Sequence, residues 1–193
     1  MADKKHGHVH HSKSTRDILS ADRVLKAAGL KSGDIFLDAG CGDGFISLAA
    51  SQIVGENGKV YALDAYPESI AAVNKEIKER DIFNLEAVVA DLTEIIPLDD
   101  NSIDLCIMAN VLHGFVENGE VEPVMRELGR VIRPGGIFAV VEFKKIEGRP
   151  GPPFDVKVAP KDVEDIVAPY MFDAMGMDDV GEYHYLVKAL NKK

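Results

Sequence analysis

A glycine at every second position, directly after an apolar run and an acid, constrains this chain more than any other feature: Ile35-Phe36-Leu37-Asp38-Ala39-Gly40-Cys41-Gly42-Asp43-Gly44. The run Ile35 to Leu37 suits a strand buried on both faces. Phe45 to Val54 reads as the helix that follows. Glycines at 40, 42 and 44 permit positive φ and let bare backbone come closer to a ligand than any Cβ allows. The helix aims its free N–H groups at the same spot. Strand, side-chain-free turn and helix in this order make a ligand cradle after the first strand of an α/β sheet.

The residues around the turn narrow the ligand. The dinucleotide fingerprint Gly-x-Gly-x-x-Gly/Ala needs a small residue in its last place, and Phe45 stands there. The spacing is instead Gly-x-Gly-x-Gly with Asp38 ahead of it, and a carboxylate at a strand tip suits a cation better than a pyrophosphate. Lys59 to Leu63 reads as the next strand. Asp64 at its end can accept from both hydroxyls of a ribose. A third acid, Asp91, follows the run Leu85 to Ala90, and Arg133-Pro134-Gly135-Gly136 turns into a later strand.

These four features, in this order, resemble the class I S-adenosylmethionine-dependent methyltransferases, whose motif I is Asp/Glu-x-Gly-x-Gly-x-Gly. The resemblance runs from about residue 20 onward. It implies a Rossmann-like, doubly wound α/β sheet of seven strands, mostly parallel with an antiparallel strand near the C-terminus, and helices on both faces. It also implies S-adenosylmethionine as cofactor. On the family's positions, the turn Ala39, Gly40, Cys41, Gly42 and Gly44 makes the close contact, and Asp38 balances the cationic methionyl end directly or through water. Asp64, with Ala65 beside it, holds the ribose diol. Asp91 meets the adenine amino group while Leu92 packs nearby, and Asn110 lies where backbone at the fourth strand's tip meets the methionine portion. The implied reaction is in-line displacement of the methyl group onto a small-molecule acceptor.

The Asn/Asp-Pro-Pro-Tyr/Phe signature of methyltransferases acting on amino groups of nucleic acids and glutamine is absent at 110–113. Asn110-Val111-Leu112-His113 is more similar to the small-molecule, type 11 branch related to quinone-biosynthesis methyltransferases. A thiolate or arsenic-type acceptor needs no base, whereas a phenol, an enol carbon or a hydroxyl does. Histidine titrates near working pH, so His113, at the sheet edge where ligands bind in such folds, is the candidate catalytic base. The equal alternative is a histidine hydrogen-bonded at a helix start. His184 and Tyr183 are weaker candidates, because nothing local directs them to the pocket.

Length and charge bound the rest. At 193 residues the chain can make a single domain over 16–193 whose core needs no staples. A net charge of −10 argues against nucleic acid as a partner, since phosphate-backbone binding needs clustered cations. No apolar run reaches the length of a membrane span, and no leader pattern opens the chain, which implies a cytoplasmic location. Cys41 and Cys106 form no Cys-x-x-Cys pair, so no disulfide framework is indicated. Residues 1–15 are polar and carry His6, His8, His10 and His11; they are expected to be a flexible arm. Its three readings are a solvated tail, a metal-binding arm and a lid over the cofactor. Two other functions compete: an NAD-dependent oxidoreductase, motivated by the glycine turn and Asp64, and a non-catalytic metal carrier, motivated by the histidines. Acceptor identity and oligomeric state have no signature in the sequence.

The remaining elements follow from periodicity and stop signals. Ser20 to Ala28 reads as a short amphipathic helix with Ser20 as cap and Gly29 as stop. Pro67 suits the first turn of a helix running to about Arg80, with Ile70, Val73, Asn74 and Ile77 inward. Ile103 to Ala109 reads as a central strand. Glu120 to Ile132 reads as a helix that tolerates Pro123 only near its start, and Ile137 to Phe143 as another strand whose tip carries Glu142. Gly148 to Pro153 suggests an extended loop, either a substrate-facing lid or a connector. Lys161 to Ala174 reads as a helix kinked at Pro169 and ended by Gly176, before a closing hairpin of Asp179 to Glu182 and Tyr183 to Leu190.

Overall fold

The computed structural model describes residues 15–148 and 150–193; the four arm histidines lie outside the described residues. Seven strands of the described residues form one sheet: β1 (Ile35–Ala39), β2 (Lys59–Asp64), β3 (Leu85–Val89), β4 (Ile103–Ala109), β5 (Ile132–Phe143), β6 (Phe172–Asp179) and β7 (His184–Asn191). Their order is β3-β2-β1-β4-β5-β7-β6. Neighbours from β3 to β5 are parallel, and β7 runs antiparallel to both β5 and β6. This is the doubly wound sheet expected from the sequence. The chain winds outward from β1 through β3 and then crosses back to β4, so β1 and β4 flank the switch point where a crevice opens beyond the strand ends.

Among the described residues, six α-helices cover the two faces: α1 (Ala21–Ala28), α2 (Phe45–Val54), α3 (Pro67–Glu79), α4 (Leu112–Asn118), α5 (Val121–Val131) and α6 (Pro160–Val167). Strand side chains alternate between them. Phe36, Ile107, Val141 and Leu186 pack with Val24, Ile46 and Val73 under α1–α3. Leu37, Met108, Val140 and Val187 pack with Leu112, Val124 and Val163 under α4–α6. Both faces of the central strands are therefore apolar, as a strand covered on two sides requires. Local signals hold at the ends of the first and third helices. The Ser20 side chain accepts the Arg23 N–H at 3.4 Å, Gly29 closes α1 at φ 88, and Pro67 opens α3.

Several boundaries differ. The helix expected over 161–174 stops at Val167; a 3₁₀ turn, Ala168–Tyr170, absorbs Pro169, and Met171 at φ 68 turns the chain into β6. Gly176 ends no helix but lies at a register shift within β6. The hairpin accordingly turns over 180–183. Strand β5 starts at Ile132, with a shift against β4 that accommodates the Arg133-Pro134-Gly135-Gly136 turn. A separate short helix, α4, follows β4. On α3, Ile70 and Val73 are buried but Asn74 faces solvent.

Candidate active site

The glycine turn is built against its neighbours. Gly40 and Cys41 donate their N–H groups to Leu63 O of β2 at 2.8 and 2.9 Å. All three glycines have positive φ, but for different surroundings. A Cβ on Gly40 would lie 2.6 Å from Val111, after β4, and one on Gly44 would lie 2.6 Å from Val73 of α3. A Cβ on Gly42 would meet nothing within 4 Å. The first and third glycines thus satisfy packing, while the middle one presents bare backbone to open space.

Three acids stand on or beyond the neighbouring strand ends, each held differently. Asp64 is buried; its Oδ2 accepts the Gly42 N–H at 2.8 Å and its Oδ1 the Tyr66 N–H at 2.9 Å. Each oxygen retains capacity for one more donor. Asp91 Oδ1 accepts the Thr93 N–H at 2.9 Å and its hydroxyl at 2.7 Å. Asp38 is only 1% exposed and sits beneath the turn, not in the open, where its Oδ2 accepts the Ser47 hydroxyl at 2.5 Å. Burial pushes the Asp38 carboxyl up to about 7, the Ser47 hydroxyl and backbone bonds oppose that, and Asp64 and Asp43 add to it. Ala39 and Leu92 are core side chains under α4–α6, Cys41 is buried, and Ala65 is exposed. Burial is also the main cause that pushes the Cys41 and Cys106 thiols up, which disfavours the thiolate form at both.

At the tip of β4, Asn110 adopts φ 59, and its backbone N–H donates to Val141 O at 2.8 Å. Among the described residues, its buried Oδ1 and Nδ2 have no hydrogen-bond partner. A buried amide left unpaired costs about 1–3 kcal/mol, so this site is suited to a polar ligand. Three residues on, His113 Nδ1 lies 3.0 and 2.9 Å from Glu142 Oε1 and Oε2, and the His113 backbone N–H donates to Oε1 at 3.1 Å. The hydrogen bonding at a helix start that the sequence offered as the alternative for His113 is present, and the ring stands at the sheet edge beside Glu142. His184 is different: it is buried against Phe143, with ring centroids 4.3 Å apart. Strand alternation turns it to the face opposite Tyr185. Burial, then Lys144 and Lys157, pushes its imidazole down to about 4.

Sequence reasoning missed Ser47, Thr93 and the Glu142 partnership. Ser47 left a signal, a hydroxyl on the buried side of an otherwise apolar helix start. The meeting of Glu142 and His113 spans 29 residues and left none. Among the described residues, no cluster of three or more His, Cys, Asp or Glu can hold a metal, and no helix is long and apolar enough to cross a membrane.

Residues 30–171 match the family described as "Methyltransferase domain". The 2-phytyl-1,4-beta-naphthoquinone methyltransferase of Arabidopsis thaliana is 32% identical over 121 residues, which is 61% of this chain and 45% of the relative. Demethylmenaquinone methyltransferase of Staphylococcus aureus is 32% identical over 120 residues, 62% of this chain and 47% of the relative. The chain spans about half the length of the curated relatives it matches. A crystal structure of a SAM-dependent methyltransferase from Aquifex aeolicus superposes with a TM-score of 0.83 at 31% identity, covering 93% of both chains. With its motif I turn, its strand order and these matches agreeing, the chain belongs to the class I S-adenosylmethionine-dependent methyltransferases.

Proposed function

We propose that this chain transfers a methyl group from S-adenosylmethionine to an apolar, ring-bearing small molecule, acting through a single domain over 16–193. The observation that carries the reading is the bare side of Gly42 beside Asp64, with the unpaired Asn110 amide across the switch point. The cofactor supplies an electrophilic methyl group on a cationic sulfur and a neutral thioether as leaving group. The chain's own work is to hold and orient. Asp64 uses its remaining acceptor capacity for the ribose diol, and Asp91 turns the carboxylate set by Thr93 toward the adenine amino group. Asp38 supports the positive charge from beneath the turn, and Asn110 faces the methionyl side. Ala39, Gly40, Cys41 and Gly44 shape the turn, Leu92 backs the adenine side and Ala65 flanks the ribose acid. Alignment of two reactants in this way can lower a barrier by several kcal/mol.

The apolar acceptor is supported by exposed apolar side chains on α4, which carries His113, and on the segment that follows β5. Val116 is one turn along α4 and 40% exposed, and Ile146 and Phe154, after β5, are 40% and 45% exposed. Quinone-type acceptors appear in the names of the relatives above, and such rings match this surface. His113 acts as base toward the acceptor. The competing oxidoreductase reading is disfavoured by Phe45 in the small-residue place of the dinucleotide fingerprint. The test is incubation with a methyl-labelled cofactor and a panel of quinols and apolar metabolite extracts. Label is expected in the organic phase; label in no acceptor pool overturns the proposal.

A further inference from the structure

We propose that Glu142 is a positioning residue for proton transfer: it fixes His113 as the Nδ1–H tautomer, leaves Nε2 free to take a proton, and so matches an acceptor that is an O–H or C–H acid. This rests on the methyl-transfer reading above. Glu142 is 0% exposed and lies on the face of β5 that α4 covers, where one carboxylate meets both the ring and the backbone of His113. Among the described residues, His113 is also its one ion-pair partner. A buried carboxylate is costly unless its lone pairs are met. Here the donors come from a single residue, so ring and helix start are held together. A carboxylate only accepts, so Nδ1 carries the hydrogen and Nε2 presents a lone pair.

A structural role would not require this arrangement. The one first-turn N–H of α4 that Glu142 meets needs only a neutral acceptor, and an asparagine or serine supplies such an acceptor at helix starts without a buried charge. The charge is useful when the ring itself becomes positive. In the transfer, the O–H or C–H bond of the acceptor breaks and its proton passes to His113 Nε2. The electron pair left behind forms the new bond to the methyl carbon, and the pair of the old carbon–sulfur bond stays on sulfur. The imidazolium, facing Glu142, then releases its proton to solvent through the 13% of its side chain that is exposed. A thiolate acceptor would gain nothing from such a pair.

The test is long-range ¹H–¹⁵N NMR on histidine-labelled full chain without ligands, at a pH where the ring is neutral, with H113N assigning the signal. Wild type is expected to show a protonated Nδ1 and a bare Nε2 at His113, and E142Q is expected to lose that preference. An Nε2–H tautomer in wild type, or an unchanged pattern in E142Q, overturns the proposal. Should E142Q not fold, the wild-type tautomer still decides. With a ¹³C-methyl cofactor and metabolite extract, the product should carry an O–CH₃ or C–CH₃ group; an S–CH₃ product overturns the acceptor class. E142Q should lose at least tenfold in turnover, and H113N about a hundredfold, while E142Q keeps its affinity for S-adenosylhomocysteine within about twofold. Wild-type protein that fails to bind S-adenosylhomocysteine would instead defeat the methyl-transfer reading, whatever the tautomer.

Discussion

Replacing Asp38 with asparagine separates what the fold needs from what the ligand needs. The Asp38 carboxyl is held at about 7, against 3.8 for the ordinary group, chiefly because it is buried. The folded chain therefore binds this proton more tightly than the unfolded chain does. Stability from this group is greatest below about pH 4 and is lost as pH rises through about 7. At ~1.4 kcal/mol per tenfold, the gap corresponds to as much as about 4 kcal/mol against the ligand-free fold above pH 7. Asparagine is neutral and nearly isosteric, and its Oδ1 still accepts the Ser47 hydroxyl. In urea melts without cofactor at pH 8, D38N should be more stable than wild type by up to about 4 kcal/mol; near pH 4 the difference should fall below ~1 kcal/mol. Cofactor affinity should move the other way, weakening by about 1.5–3 kcal/mol as the charged partner is lost. A stability difference that ignores pH would refute the buried charge. Stabilisation with unchanged affinity would refute its part in binding.

Other substitutions probe the same site from different sides. Asp64→Ala removes the acceptor for two backbone N–H groups and, on the proposed function, for the ribose; calorimetry should show cofactor binding weakened by roughly 1.5–3 kcal/mol, and an unchanged Kd would exclude the ribose role. Gly42→Ala meets open space but strains the left-handed backbone at φ 52, so its thermal midpoint should fall only modestly while cofactor affinity drops. Gly40→Ala, aimed at Val111 from 2.6 Å, should lower the midpoint markedly; similar melting of the two variants would contradict the division of labour within the turn. His184 has its imidazole held near 4, so the stability it allows is present above about pH 6.5 and lost as pH falls toward 4. His184→Phe should flatten that acid limb in pH-dependent melts, and an unaltered limb would show that another group causes it.

The parts of this site legible in the sequence are those whose requirements are local. Positive φ at Gly40, Gly42 and Gly44, the acids at successive strand ends and the helix start at Phe45 all lie within a few residues of one another or repeat with a strand's spacing. Asp38 shows the limit of that reading. Its residue type marks the site, but its place beneath the turn depends on Ser47, which only the folded α2 brings to it. The Glu142–His113 pair depends on β4 and β5 lying side by side, which no local pattern reveals. The 161–174 error has a different cause. Strand β6 is an edge strand whose residues are mostly exposed and include Ala174, Met175 and Met177. It therefore lacks the apolar alternation of a half-buried strand and reads as helix. Asn74 erred through spacing alone, since a polar residue at the edge of a helical stripe belongs to the solvent side.

The most direct measurement is a calorimetric titration of the chain with S-adenosylhomocysteine, set beside the same titration with NAD. The account predicts saturable one-to-one binding of the first, abolished or strongly weakened in Asp64→Ala, and no comparable heat with the second. Tight binding of NAD with none of S-adenosylhomocysteine would contradict it.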